Sequence, residues 1–269
     1  MIPTIATVTL GGDLKKKLKS IANAGFHSIE LFDSDFDTFD GSSKELNNLI
    51  RGFGLNLASY FPLRDFEGMP KETKDNVFDK AKYYLDTAKE LGSKMVMICS
   101  NTSQESSPDE NQITSDLNEL ADIAQKLDIK LAYEPLAWGK HVNYFDHAIR
   151  LIQDADNDNL GLVLDSFHIL SQKNDISQIK QIPKDKIFLV QISDAPFRDL
   201  DYLSWSRSHR ILPGYGDFNL KQFVRVVKST GFEKHFSLEC FNKDLQNRDA
   251  IEVAEEGFAL NRDLWEINH

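Results

Sequence analysis

Apolar residues recur along this chain in two alternating patterns. Short runs rich in Ile, Val, Leu and Phe read as β-strands at residues 4–9, 28–32, 55–61, 94–99, 129–134, 160–165, 187–192 and 235–239. Between them, apolar positions return every three or four residues. The clearest such face is Val77, Phe78, Ala81, Tyr84, Leu85 and Ala88, in a helix predicted over 71–91 and stopped by Gly92. Further helices are predicted over 14–24, 43–50, 113–127, 144–152, 220–229 and 248–265. Asp13 stands where a cap is needed for the first of these, and Gly25 where a stop is needed. A short segment, 176–182, follows the sixth strand. Residues 193–219 show no period and are read as a long loop, of the kind that covers a substrate site.

Eight β/α repeats without a linker predict an α/β fold, a single (β/α)8 TIM barrel over residues 1–269. A length of 269 residues suits such a barrel, which typically takes about 250. Composition narrows the partners. The net charge is −11, from 31 basic and 42 acidic residues, so a phosphate backbone is repelled and nucleic-acid binding is not expected. No apolar run approaches the ~20 residues of a membrane span. The opening MIPTIATVTLGGD lacks the charged and apolar regions of a signal peptide, so a cytoplasmic location is expected. Cys99 and Cys240 follow the fourth and eighth strands; they are expected to pack as small hydrophobes without a disulfide.

The chemistry is written at the strand ends. Glu134, Asp165, Gln191 and Glu239 close the runs KLAYE, LGLVLD, IFLVQ and HFSLE. The first three are each about one β/α unit of ~30 residues apart, and the fourth is farther by the long loop. Four consecutive strands of a barrel therefore deliver three carboxylates and one amide to the C-terminal rim, where barrel enzymes place their active sites. A single acidic residue at a strand end is usually a cap. Four in register read as a site for one hard divalent cation, Mg²⁺, Mn²⁺ or Co²⁺. His168 lies three residues past Asp165 and suits proton abstraction, or equally the support of a ligand. His141 reads as a loop histidine, and Glu30 as a cap or a site residue. Arg64, Arg207 and Arg210 fall in predicted rim segments and offer two-point forks for a carboxylate. Trp138 and Trp205 either shield the site or pack beneath it.

The segments EPLAWGKHVN, LGLVLDSFHIL, DKIFLVQISDAP and LSWSRSHRILPGYGDFNL resemble the 3-dehydroshikimate dehydratases, within the xylose-isomerase-like barrels. The resemblance begins at PLRDFEGMP and runs through the eighth strand. It implies that Glu134, Asp165, Gln191 and Glu239 bind the metal, that His168 is an acid/base residue, and that Arg64, Arg210 and Ser206 belong to the substrate pocket. It implies a small carboxylate substrate, dehydrated by an enolate-type elimination to protocatechuate. Some members of that family continue into a dioxygenase-like second domain, which is not expected in a chain closing at His269. A homo-oligomer is compatible with the reading. The rival activity is that of a sugar isomerase or epimerase acting on a neutral polyol.

Overall fold

The computed structural model describes residues 1–266. Eight parallel strands close into one barrel in sequence order: β1 (Ile2–Ala6), β2 (Ser28–Phe32), β3 (Asn56–Leu63), β4 (Met95–Cys99), β5 (Lys130–Glu134), β6 (Leu160–Asp165), β7 (Ile187–Ile192) and β8 (His235–Leu238). The first strand is displaced from its expected place. It ends at Ala6, and Thr7–Thr9 turns into a short 3-10 helix. The other strands lie within two residues of expectation.

The helices form the outer ring. Asp13 caps Leu14–Ala24 by accepting a hydrogen bond from the Lys16 amide at 2.9 Å, and Gly25 ends it at φ 101°, which a glycine adopts without strain. Ser42 and Glu45 make a reciprocal capping box at the start of Ser43–Gly52. The amphipathic run ending at Leu91 is helical over Lys74–Leu91, and Phe78, Ala81, Leu85 and Ala88 are buried as its period requires.

Two apolar clusters divide the interior. The larger lies between strands and helices and includes Leu131, Leu162, Leu164 and Val190. The smaller includes Ala6, Met97, Ala132, Val163 and Leu189. Successive side chains on a strand face opposite ways. Ala132, Val163 and Leu189 therefore set the facing of Glu134, Asp165 and Gln191, each two residues farther along. A slip of one residue in any strand would turn its polar end outward.

The segment expected to be a long loop is partly ordered structure. Tyr202–His209 is a helix, capped by Asp201. Asp194 and Ile211 form an antiparallel bridge that pins both ends of this excursion. The buried Asp194 carboxylate accepts from the backbone amides of Ala195, Gly214 and Phe218 at 2.9, 2.9 and 3.1 Å.

Candidate active site

The four strand-end residues converge. Asp165 and Gln191 are paired across β6 and β7, and the Glu239 amide bonds to the Ile192 carbonyl at 3.0 Å. All four side chains are buried. Gln191 Nε2 lies 3.2 Å from Glu239 Oε1 and 3.2 Å from both oxygens of Glu30. Glu30 thus belongs to the floor of the site rather than to a helix cap, and Ser59 also donates to it at 3.0 Å.

Arg210 stands in the middle of this cluster and is 1% exposed. Its Nη1 donates to Asp165 Oδ2 at 2.7 Å and Glu239 Oε2 at 2.8 Å. Its Nε donates to Ser206 Oγ at 3.0 Å, and its Nη2 lies 3.2 Å from His168 Nε2. Phe167 stacks under the guanidinium at 4.5 Å, and Asn242 holds the Arg210 carbonyl.

His168 is buried against Trp138 and Phe167. Its Nε2 is 3.6 Å from Glu134 Oε1 and 3.5 Å from Asp165 Oδ2, so Glu134, Asp165 and His168 make a compact group able to hold a metal ion. The backbone amide of Ala137 donates to His168 Nδ1 at 3.1 Å. An amide is a donor only, so in this bond Nδ1 accepts and a neutral ring carries its proton on Nε2; Arg210 Nη2, also a donor only, can then bond Nε2 only once that proton has left.

Burial dominates the electrostatics. It pushes the Glu134 carboxyl up to about 8, reinforced by neighbouring Asp165, and Glu30 up to about 7. Glu239 and Asp165 are also raised, by burial against the opposing pull of Arg210. His168 is held well below its ordinary value by burial and by the charges of Arg210 and Arg207. Three buried carboxyl groups, Asp165, Glu239 and Glu134, thus surround one guanidinium, and Gln191 Oε1 is buried without a hydrogen-bond partner among the described residues. An excess of acidic oxygens and an unpaired amide oxygen fit a bound divalent cation.

A cavity of about 570 Å³ opens over this group. Glu134, His168, Arg210, Glu239 and Ser206 are in its wall, as are Arg64, Arg207 and Trp138. Asp165 and Gln191 are not. Arg64 is paired with Asp33 at 2.6 Å. Trp205 is buried beneath Phe167 and Phe218, the packing alternative. His141 is turned to the Ser106 carbonyl at 2.8 Å and takes no part.

One cysteine departs from expectation. Cys99 does not merely pack: its thiol donates to Glu134 Oε2 at 3.2 Å and lines the cavity, because β4 pairs Cys99 with Glu134 in register. Cys240 is buried and, like Cys99, free.

The model of the xylose isomerase-like TIM barrel matches residues 18–263. The chain belongs to that family. It is 39% identical to a 3-dehydroshikimate dehydratase of Pseudomonas putida over 254 residues, 94% of this chain and 40% of the relative. Among solved structures it superposes on a xylose isomerase-like TIM barrel/4-hydroxyphenylpyruvate dioxygenase fusion protein with a TM-score of 0.94 at 38% identity, covering 97% of this chain and 42% of that one. It superposes on the IOLI protein with a binding zinc atom at a TM-score of 0.88 and 25% identity, covering 98% of both. The family member thus spans about 40% of the length of its dehydratase relative. Among the described residues no helix is long and apolar enough to cross a membrane.

Proposed function

We propose that this barrel dehydrates 3-dehydroshikimate to protocatechuate with a divalent ion held by Glu134, Asp165, Gln191 and Glu239. The observation that carries the reading is the single cavity into which Glu134, Glu239, His168 and Arg210 open together. The 39% identity to the Pseudomonas putida dehydratase supports the same substrate. Mg²⁺, Mn²⁺ and Co²⁺ suit the oxygen donors, and zinc joins them if the adjacent imidazole contributes. When bound, the ion supplies Lewis acidity that makes the carbon beside the ring ketone more acidic.

The chain's own residues carry the proton traffic. The proton on the hydroxyl-bearing carbon next to the ketone passes to the Glu134 carboxylate. His168 gives its Nε2 proton to the neighbouring β-hydroxyl, which leaves as water as the carbon–oxygen bond breaks. The Ala137 amide fixes the ring in the tautomer this requires. Arg210 Nη2, 3.2 Å away, steadies Nε2 while it is bare, and the ring regains its proton from Glu134 Oε1 at 3.6 Å. This assigns His168 proton donation in place of the proton abstraction its position in the sequence suggested. Tautomerisation, in which a second ring proton leaves carbon and the ketone oxygen gains one, then completes the aromatic product. Trp138, Leu136 and Phe241 line the cavity and limit water around the reacting atoms. Two buried free thiols are in keeping with a reducing cytoplasm.

The test is an ultraviolet assay of protocatechuate formation by protein stripped of metal and then reloaded. Activity lost on chelation and regained with a divalent ion is expected. A reloaded protein that leaves 3-dehydroshikimate untouched, while interconverting ketohexoses, would overturn the reading in favour of an isomerase.

A further inference from the structure

Three arginines line the cavity, and they are not equivalent. Arg210 is committed to Asp165, Glu239 and Ser206. Arg64 directs Nη1 to Asp33 at 2.6 Å and to the Pro62 carbonyl at 3.3 Å. Arg207 makes no hydrogen bond or ion pair among the described residues. Its guanidinium lies over the Phe241 ring at 4.4 Å, with its edge open to solvent at the cavity mouth.

The helix Tyr202–His209 explains why it faces inward. Leu203, Ser206, Arg207 and Arg210 follow one another at helical spacing, and all four line the cavity. The cavity is therefore polarised. Its inner end carries Glu134, Glu239 and the polar edge of His168, and the outer part carries a cation that makes no salt bridge among the described residues and feels Glu239 only at a distance. Arg207 is crowded by protein and by the like charge of Arg210, which lower its affinity for its own proton. An anion at its fork relieves that repulsion. A carboxylate at the inner end would instead face the acidic cluster.

We propose that Arg207 holds the carboxylate of an anionic cyclic substrate at the mouth of the cavity, and so selects acids over neutral polyols. The assignment deepens the dehydratase reading and, for the reaction itself, rests on it. It leaves Arg210 to the inner carboxylates and Arg64 to its ion pair with Asp33.

The experiment compares 3-dehydroshikimate with its methyl ester, using wild-type protein, Arg207→Gln and Arg64→Gln, all reloaded with Mn²⁺. A charge-assisted hydrogen bond amounts to roughly ten- to a hundredfold in affinity. Arg207→Gln is expected to raise KM for the acid by about that factor, with kcat nearly unchanged and the ester hardly affected. The preference for acid over ester then collapses in this variant and persists in Arg64→Gln. Arg207→Gln retaining the wild-type preference, or the collapse falling on Arg64→Gln, overturns the proposal. Binding of 3,4-dihydroxybenzoate against its amide, read from tryptophan fluorescence, provides an arm independent of turnover. There too, only Arg207→Gln is expected to erase the discrimination. A protein inactive on 3-dehydroshikimate but discriminating in this binding arm would refute the dehydratase reading alone.

Discussion

Replacing Arg210 by Leu tests whether the guanidinium holds the carboxylate cluster together. The side chains of Arg210, Asp165 and Glu239 are 2%, 0% and 3% exposed in these contacts. Removing one partner of a buried ion pair costs about 3–5 kcal/mol, because the other charges stay behind without compensation. Here two carboxylates lose a partner, but proton uptake limits the damage, since burial already raises both groups. An estimate of about 3–5 kcal/mol therefore stands for the metal-free protein near pH 8. For a chain of this size it corresponds to a fall in Tm of roughly 10 °C. Arg64→Leu is the contrast. Its bridge to Asp33 is 42% and 18% exposed, and such a pair contributes about 1 kcal/mol or less. Urea denaturation of metal-stripped wild type and both variants measures the difference. A loss for Arg210→Leu no greater than that for Arg64→Leu would refute the reasoning.

His168→Ala should lower kcat by about 10²–10⁴-fold, the range of a lost acid/base group. Bound Mn²⁺, quantified after desalting, should stay near one equivalent, and its loss would make His168 a ligand instead. Glu67, bonded to the Tyr133 hydroxyl and the Asn101 amide at 2.7 Å each, is pushed up to about 7 by burial. A carboxyl raised on folding contributes stability below its unfolded pKa and loses it as pH climbs through 7. Glu67→Gln should therefore flatten the decline between pH 5 and 8 by ~2–3 kcal/mol in denaturant titrations, and an unchanged slope would remove Glu67 as its cause. A Cβ at Gly161 would meet Phe188 Cδ1 at 2.4 Å, so Gly161→Ala should destabilise by about 1–3 kcal/mol. Equal denaturation midpoints for mutant and wild type would show that the Phe188 ring yields freely.

Short continuous apolar runs, alternating with stretches of helical period, were enough to determine the barrel. Each strand had to bury both faces and each helix only one, and that requirement is written locally in residues such as Val163 and Leu164 or Phe78 and Leu85. The same pattern located Glu134, Asp165, Gln191 and Glu239 on one rim, since a strand end in a parallel barrel has a single address. Local pattern failed where polar residues replace apolar ones on the inward face. The helix Tyr202–His209 turns Ser206, Arg207 and Arg210 to the cavity, so no apolar stripe announced it. Barrel closure alone brought Glu30 of β2 beside Gln191 of β7, and strand register alone put Cys99 against Glu134. The choice among arginines was likewise tertiary. Nothing in LSWSRSHR says that Arg210 is held by Asp165 and Glu239 while Arg207 has no acidic partner, because those carboxylates arrive from distant strands.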